Sequence, residues 1–230
     1  MNERIIIALD LNSRAVALHL VQSLYSLAGM FKVGSQLYMA AGPALVREIV
    51  EMGAKVFLDL KFHDIPNTVR HAAVEAAKVG VSMITVHASG GRSMLEGVSK
   101  DLQDKFGSRK PMVVGVTVLT SLDSADLQKI GIERPVDEQV LKLACIAESC
   151  GLDGVVCSPR EIQPVRSVVR RAFKIVTPGI RMPGQSADDQ QRTATAREAI
   201  AAGADYIVVG RAVTGERDPR SALERLIHSI

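Results

Sequence analysis

Between residues 58 and 69 the chain reads LDLKFHDIPNTV, which places Asp59, Lys61 and Asp64 within six positions, between an apolar run and a run of helix formers. Charge this dense at the end of a buried segment is costly unless the charges meet one another. At about 4 Å, a unit ion pair is worth roughly 4 kcal/mol at an effective dielectric near 20, enough to hold a lysine between two aspartates in one orientation. An ammonium held that way is a positioned proton donor. Lys32, in FKVG, and Asp10, in IIIALD, offer a second cation and a further carboxylate at the ends of other apolar runs.

Positioning such groups needs elements that bring separate chain segments to one place. Short apolar, β-branched runs occur at 5–10, 30–35, 55–62, 83–89, 111–119, 154–159, 174–181 and 206–213, and each predicts a strand. The intervening segments carry helical spacing, as in Ala15, Leu18, Val21 and Leu24 or Val69, Ala72, Ala73 and Ala76. Several end on a glycine suited to leaving a helix: Gly53, Gly80, Gly151 and Gly203. Eight repeats of strand then helix predict an α/β fold, a closed (β/α)8 barrel formed by residues 1–230 as one domain. An open doubly wound sheet would show the same alternation, but no glycine-rich dinucleotide fingerprint follows the first predicted strand.

In a barrel of this kind, chemistry collects at the C-terminal ends of the strands. The predicted strand ends carry Asp10, Lys32, Asp59 with Lys61, Thr120, Pro178 with Arg181, and Gly210 with Arg211. Residues two apart on a strand share a face, so Asp59 and Lys61 should both enter the barrel mouth, with Asp64 out of phase in the turn. Loops after the last two strands of this fold often bind phosphate. In VVGRAVTG, Gly210 would let the backbone approach an anion and Arg211 could grip two phosphate oxygens. The long polar segment 177–192 reads as a lid, with Arg181 and either Gln185 or Gln190 as closing contacts.

Each charge has a purely structural alternative. Asp64, ahead of Ile65-Pro66, could cap the following helix, Asp10 could cap the first, and Asp59 with Lys61 could be an ordinary ion pair. Their convergence on one rim argues for function, because a buried ion loses several kcal/mol of solvation. His63, His71 and His87 lack metal-ligand spacing, His19 and His228 fall in helical surface patterns, and no metal is implied. His87 ends the fourth predicted strand and reads as a packing residue beside the site. Cys145, Cys150 and Cys157 form no CxxC and read as reduced core thiols.

Composition removes other classes. A hydrophobic fraction of 47 % with no Trp and only five Phe calls for a large core of aliphatic side chains, which suits parallel strands covered by helices. A net charge of +3 without basic runs gives nucleic-acid binding no support, and no apolar stretch is long enough to span a membrane. A soluble, cytoplasmic protein is expected.

These residues together resemble the orotidine 5'-phosphate decarboxylase family. DLKFHDIPNT is similar to its DxKxxD motif, and IIIALD, FKVG, VTVLTS, TPGIR, DDQ and VVGRAVT follow in the family's order along essentially the whole chain. The resemblance implies decarboxylation of orotidine 5'-phosphate to UMP, the last step of de novo pyrimidine synthesis, without cofactor or metal. It makes Lys61 the proton donor to C6, sets Asp59 against the departing carboxylate, and has Lys32 bind Asp59 and a ribose hydroxyl. Asp10 would also hold the ribose and Thr120 the pyrimidine. Arg181, Gln190, Gly210 and Arg211 would take the phosphate side, and Ile65 and Pro178 count among the substrate contacts. Asp64 and Thr68 would reach the partner's site in a homodimer.

Two rival functions stay open. One is another phosphosugar barrel enzyme, such as a 3-keto-L-gulonate 6-phosphate decarboxylase or a ribulose-phosphate epimerase. The metal-assisted gulonate relatives share DxKxxD but are expected to carry an acidic residue where Lys32 stands. The other is a non-catalytic sensor of a phosphorylated ligand.

Overall fold

The structure, a computed structural model, describes residues 2–181 and 193–230. Eight parallel strands close a barrel in chain order: β1 (Asn2–Ala8), β2 (Ala28–Gly34), β3 (Val56–Phe62), β4 (Met83–His87), β5 (Met112–Val116), β6 (Gly154–Val156), β7 (Lys174–Thr177) and β8 (Tyr206–Val209), with β8 pairing back onto β1. Parallel neighbours need a crossover connection, and helices supply it. These are α1 (Arg14–Leu24), α2 (Ser35–Glu51), α3 (Pro66–Lys78), α4 (Arg92–Phe106), α5 (Ser124–Lys129), α6 (Val136–Ser149), α7 (Ile162–Val168) and α8 (Ala196–Ala202), followed after β8 by α9 (Arg211–Thr214) and α10 (Pro219–His228). The fold is the (β/α)8 barrel that the alternation predicts.

Two apolar regions hold it together. Ile6, Ala8, Met30, Phe57, Met83, Val114, Val176 and Val208 fill the barrel interior, while the opposite strand faces pack under the helices. Complete burial of a side chain of this size stabilises by about 1.5–3 kcal/mol. Strand parity carries the interior rows upward into polar residues: Ile6 and Ala8 lead to Asp10, Met30 to Lys32, Phe57 to Asp59, Met83 to Thr85, and Val208 to Gly210. The apolar plug thus forms the floor of a polar mouth.

Local chemistry sets the helix ends. The Ser13 hydroxyl accepts from Val16 N and caps α1. Pro66 opens α3, where its fixed φ suits the helix and its missing N–H costs nothing. Gly53, Gly80, Gly151 and Gly203 all sit at positive φ where the helices end.

The strands stop earlier than their apolar runs. Those predicted over 111–119, 154–159, 174–181 and 206–213 end at Val116, Val156, Thr177 and Val209, and the first ends at Ala8 short of Asp10. The residues beyond stay apolar because the turns that carry them are also buried, as at Leu9, Val118, Cys157, Ala212 and Val213. Residues 211–214 fold as α9 in place of a strand extension. One cysteine also departs from expectation: none of the three forms a disulfide, but Cys145 is exposed on α6, so only Cys150 and Cys157 belong to the core.

Candidate active site

The mouth holds a cavity of about 440 Å³, lined by Asp10, Lys32, Asp59, Lys61, Thr120, Pro178, Gly179, Arg181, Gly210 and Arg211 above a floor that includes Ala8, Phe57 and Val208. Its charges form a connected row. The Lys32 ammonium donates to Asp10 Oδ1 at 2.9 Å and stands 3.6 Å from Asp59 Oδ2. Lys61 Nζ lies 3.0 Å from both oxygens of Asp59. Asp59 is therefore a carboxylate between two ammoniums, with its side chain 12 % exposed. Register accounts for the meeting: Ala8 is level with Lys32, and Gly34 with Asp59, so β1, β2 and β3 deliver these groups to one height. Gly34 keeps the space open, since a Cβ there would lie 3.3 Å from Lys32 Nζ and 3.5 Å from Asp10 Oδ1.

Lys61 enters the mouth by a different route from simple alternation. Leu58 pairs with Ile84 and Phe62 with Val86, so four residues of β3 span what two steps of β4 span. This bulge puts Lys61 at φ 52°, the one non-glycine residue with positive φ among the described residues. A left-handed residue with a Cβ costs roughly 1–2 kcal/mol, and such strain persists only where surrounding contacts over-determine it.

One of those contacts is Thr85, which the sequence reading passed over. Its hydroxyl accepts from Lys61 N at 2.8 Å and donates to Asp59 Oδ1 at 3.1 Å, and the residue is fully buried. The available signal was parity, because Thr85 shares the inward face with Met83 and His87. His87 is half-buried and stacks on His63 with ring centroids 5.0 Å apart. Burial, aided by His63 and Lys61, pushes its pKa below the ordinary histidine value against a smaller opposing pull from Asp59.

Neither capping alternative holds. Asp64 accepts from the adjacent Ile65 N at 2.6 Å, while α3 begins without a side-chain cap. Asp10 pairs with Lys32 and leaves the capping of α1 to Ser13. Asp64, Ile65 and Thr68 are all exposed and stand outside the lining of the cavity. After β8, Gly210 leads into Arg211 at the start of α9, and a Cβ at 210 would project to 3.9 Å from Asp10 Oδ2. Arg181 N donates to Ala194 O and Ala194 N to Gly179 O, tying the two ends of the segment expected to form a lid. Gln185 and Gln190 lie outside the described residues. Among the described residues no group of three or more His, Cys, Asp or Glu could hold a metal ion, and no helix is long and apolar enough to cross a membrane.

Residues 3–226 match the orotidine 5'-phosphate decarboxylase / HUMPS family. The chain belongs to this family. Within it, the chain is 47 % identical over 231 residues to the orotidine 5'-phosphate decarboxylase of Syntrophotalea carbinolica, covering 99 % of this chain and 95 % of that one. It is 46 % identical to the Vibrio cholerae orotidine 5'-phosphate decarboxylase over the full length of both. The crystal structure of orotidine 5'-phosphate decarboxylase from Lactobacillus acidophilus superposes with a TM-score of 0.86 at 36 % identity, covering 97 % of each chain. The family match falls on a barrel whose mouth holds two lysines and two aspartates in one connected row.

Proposed function

We infer that this chain is an enzyme that decarboxylates orotidine 5'-phosphate to UMP in pyrimidine biosynthesis. The observation that carries the mechanistic reading is the row Lys32–Asp59–Lys61 beside an apolar floor. Breaking the bond from C6 to the carboxylate carbon releases CO2 and leaves the electron pair on C6, in an orbital outside the ring's π-system. Fixed positive charge next to that carbon stabilises the pair as it forms, and an ammonium already oriented by its carboxylate does so with little reorganisation. Lys61 supplies that charge and then its proton to C6, giving UMP, and the amine regains a proton from water.

Asp59 orients Lys61 through both carboxylate oxygens and lies where the substrate carboxylate would depart. Lys32 keeps Asp59 compensated and, with Asp10, meets the ribose hydroxyls. Thr120 contacts the pyrimidine, and Pro178, Arg181, Gly210 and Arg211 hold the opposite, phosphate-bearing end. Phosphate binding far from C6 supplies energy for organising the charged row. The whole chain acts as one catalytic domain.

Lys32 also favours this reading over the gulonate phosphate decarboxylases. A cation stands where those relatives are expected to carry an acidic residue and, with Lys61, covers Asp59 from two sides. The reaction therefore runs without metal or cofactor. Exposed Asp64, Ile65 and Thr68 suit a homodimer in which they reach the partner's substrate site, and the enzyme works in the cytoplasm with the rest of nucleotide synthesis.

Purified protein should deplete orotidine 5'-phosphate absorbance in the presence of EDTA, and Lys61→Ala should abolish the turnover. Absence of turnover by the wild type, with binding of a phosphorylated nucleotide retained, would replace the enzyme with a sensor.

A further inference from the structure

We propose that Thr85 is a positioning residue for the proton donor, fixing the backbone and the ammonium of Lys61 at once. The inference rests on the reading of Lys61 as the donor. Lys61 lies in the stretch between Leu58 and Phe62 where the register of β3 against β4 shifts. Thr85 Oγ1 takes the Lys61 N–H at 2.8 Å. The same oxygen lies 3.1 Å from Asp59 Oδ1, and Asp59 in turn lies 3.0 Å from Lys61 Nζ. A closed ring results: Lys61 backbone, Thr85 hydroxyl, Asp59 carboxylate, Lys61 ammonium.

The direction of the hydroxyl proton is forced. An ionised carboxylate only accepts and a backbone N–H only donates, so the single hydroxyl proton goes to Asp59 and a lone pair faces Lys61. Thr85 is fully buried and is not among the residues lining the cavity, so it acts on the reaction through Asp59 and Lys61 and not on the substrate. It also supplies the contact that keeps a strained, left-handed lysine backbone in place. Valine matches the shape but has neither donor nor acceptor.

The test compares Thr85→Val and Thr85→Ala, which lack the hydroxyl, with Thr85→Ser, which keeps it. Loss of one charge-assisted and one backbone hydrogen bond should lower kcat by roughly 100-fold in both hydroxyl-free variants. KM and the dissociation constant for UMP should stay within about threefold of wild type, since the substrate contacts are intact. Serine should restore kcat to within about tenfold. Thermal midpoints and the folded fraction, measured alongside, separate this from simple loss of protein; if valine does not fold, the smaller alanine carries the comparison.

Wild-type kcat in a folded Thr85→Ala or Thr85→Val protein overturns the proposal, as does a folded Thr85→Ser protein as slow as alanine. Inactivity of the wild type itself would instead overturn the decarboxylase reading, so the two failures are distinguishable.

Discussion

The left-handed backbone at Lys61 can be measured apart from its charge. Lys61→Ala and Lys61→Gly both remove the ammonium and leave Asp59 with Lys32 and Thr85, so their difference isolates the backbone. At φ 52° alanine carries a steric penalty of about 1–2 kcal/mol that glycine escapes. Glycine gives back part of that advantage, about 0.4–1 kcal/mol, through its larger unfolded-state entropy. The glycine variant should therefore be the more stable by about 1 kcal/mol, or about 2–4 °C in Tm for a chain of this size. Thermal unfolding followed by circular dichroism at matched protein concentration reads the difference, since association would otherwise shift the midpoint. His71 is an exposed position inside α3 and provides the control, because there alanine should exceed glycine by about 1 kcal/mol. Equal stability of the two position-61 variants, or alanine ahead, would refute the left-handed lysine and with it the ring through Thr85.

Two further outcomes are expected. If Asp64 serves the partner's site, Lys61→Ala and Asp64→Ala should each be inactive alone, while their co-expressed mixture regains about a quarter of wild-type activity, because about half its dimers are mixed and each of those holds one intact site of two; no recovery after co-expression would refute the crossing. The depressed pKa of His87 makes the unfolded chain the better proton binder, so the stability this neutral ring contributes is complete above the ordinary histidine value of 6.5 and declines as pH falls through that value toward the folded-state pKa; urea midpoints of the wild type against His87→Asn between pH 8 and about pH 5 should converge at the acid end, and parallel profiles would contradict it.

Much of this molecule is legible in the sequence, because periodicity is local. Alternating β-branched runs and helical stripes specify strand and helix one segment at a time, and eight such pairs admit few closed arrangements. Residue types at strand ends were equally legible, so Asp10, Lys32, Asp59 and Lys61 could be assigned to one rim, and the order of motifs carried the family. Strand ends were overrun where an apolar run continued into buried residues beyond the ladder, as at Thr117 and Val118 or Ala212 and Val213, since apolar character reports burial and not hydrogen bonding.

What tertiary structure alone decided was how those residues meet. Asp10 and Lys32 are 22 positions apart and Asp59 and Thr85 are 26 apart, so their contacts depend on barrel closure and inter-strand register. The bulge in β3 is a mismatch between two strands and leaves no mark on either taken singly. It turns Lys61 out of simple alternation into a left-handed conformation and hands its N–H to Thr85. It was also structure that removed Asp64 from the capping of α3 and left it exposed. Chain chemistry decided which charges exist; the closing of the barrel decided that two ammoniums share one carboxylate, because only pairing across strands sets distances between residues that sequence keeps apart.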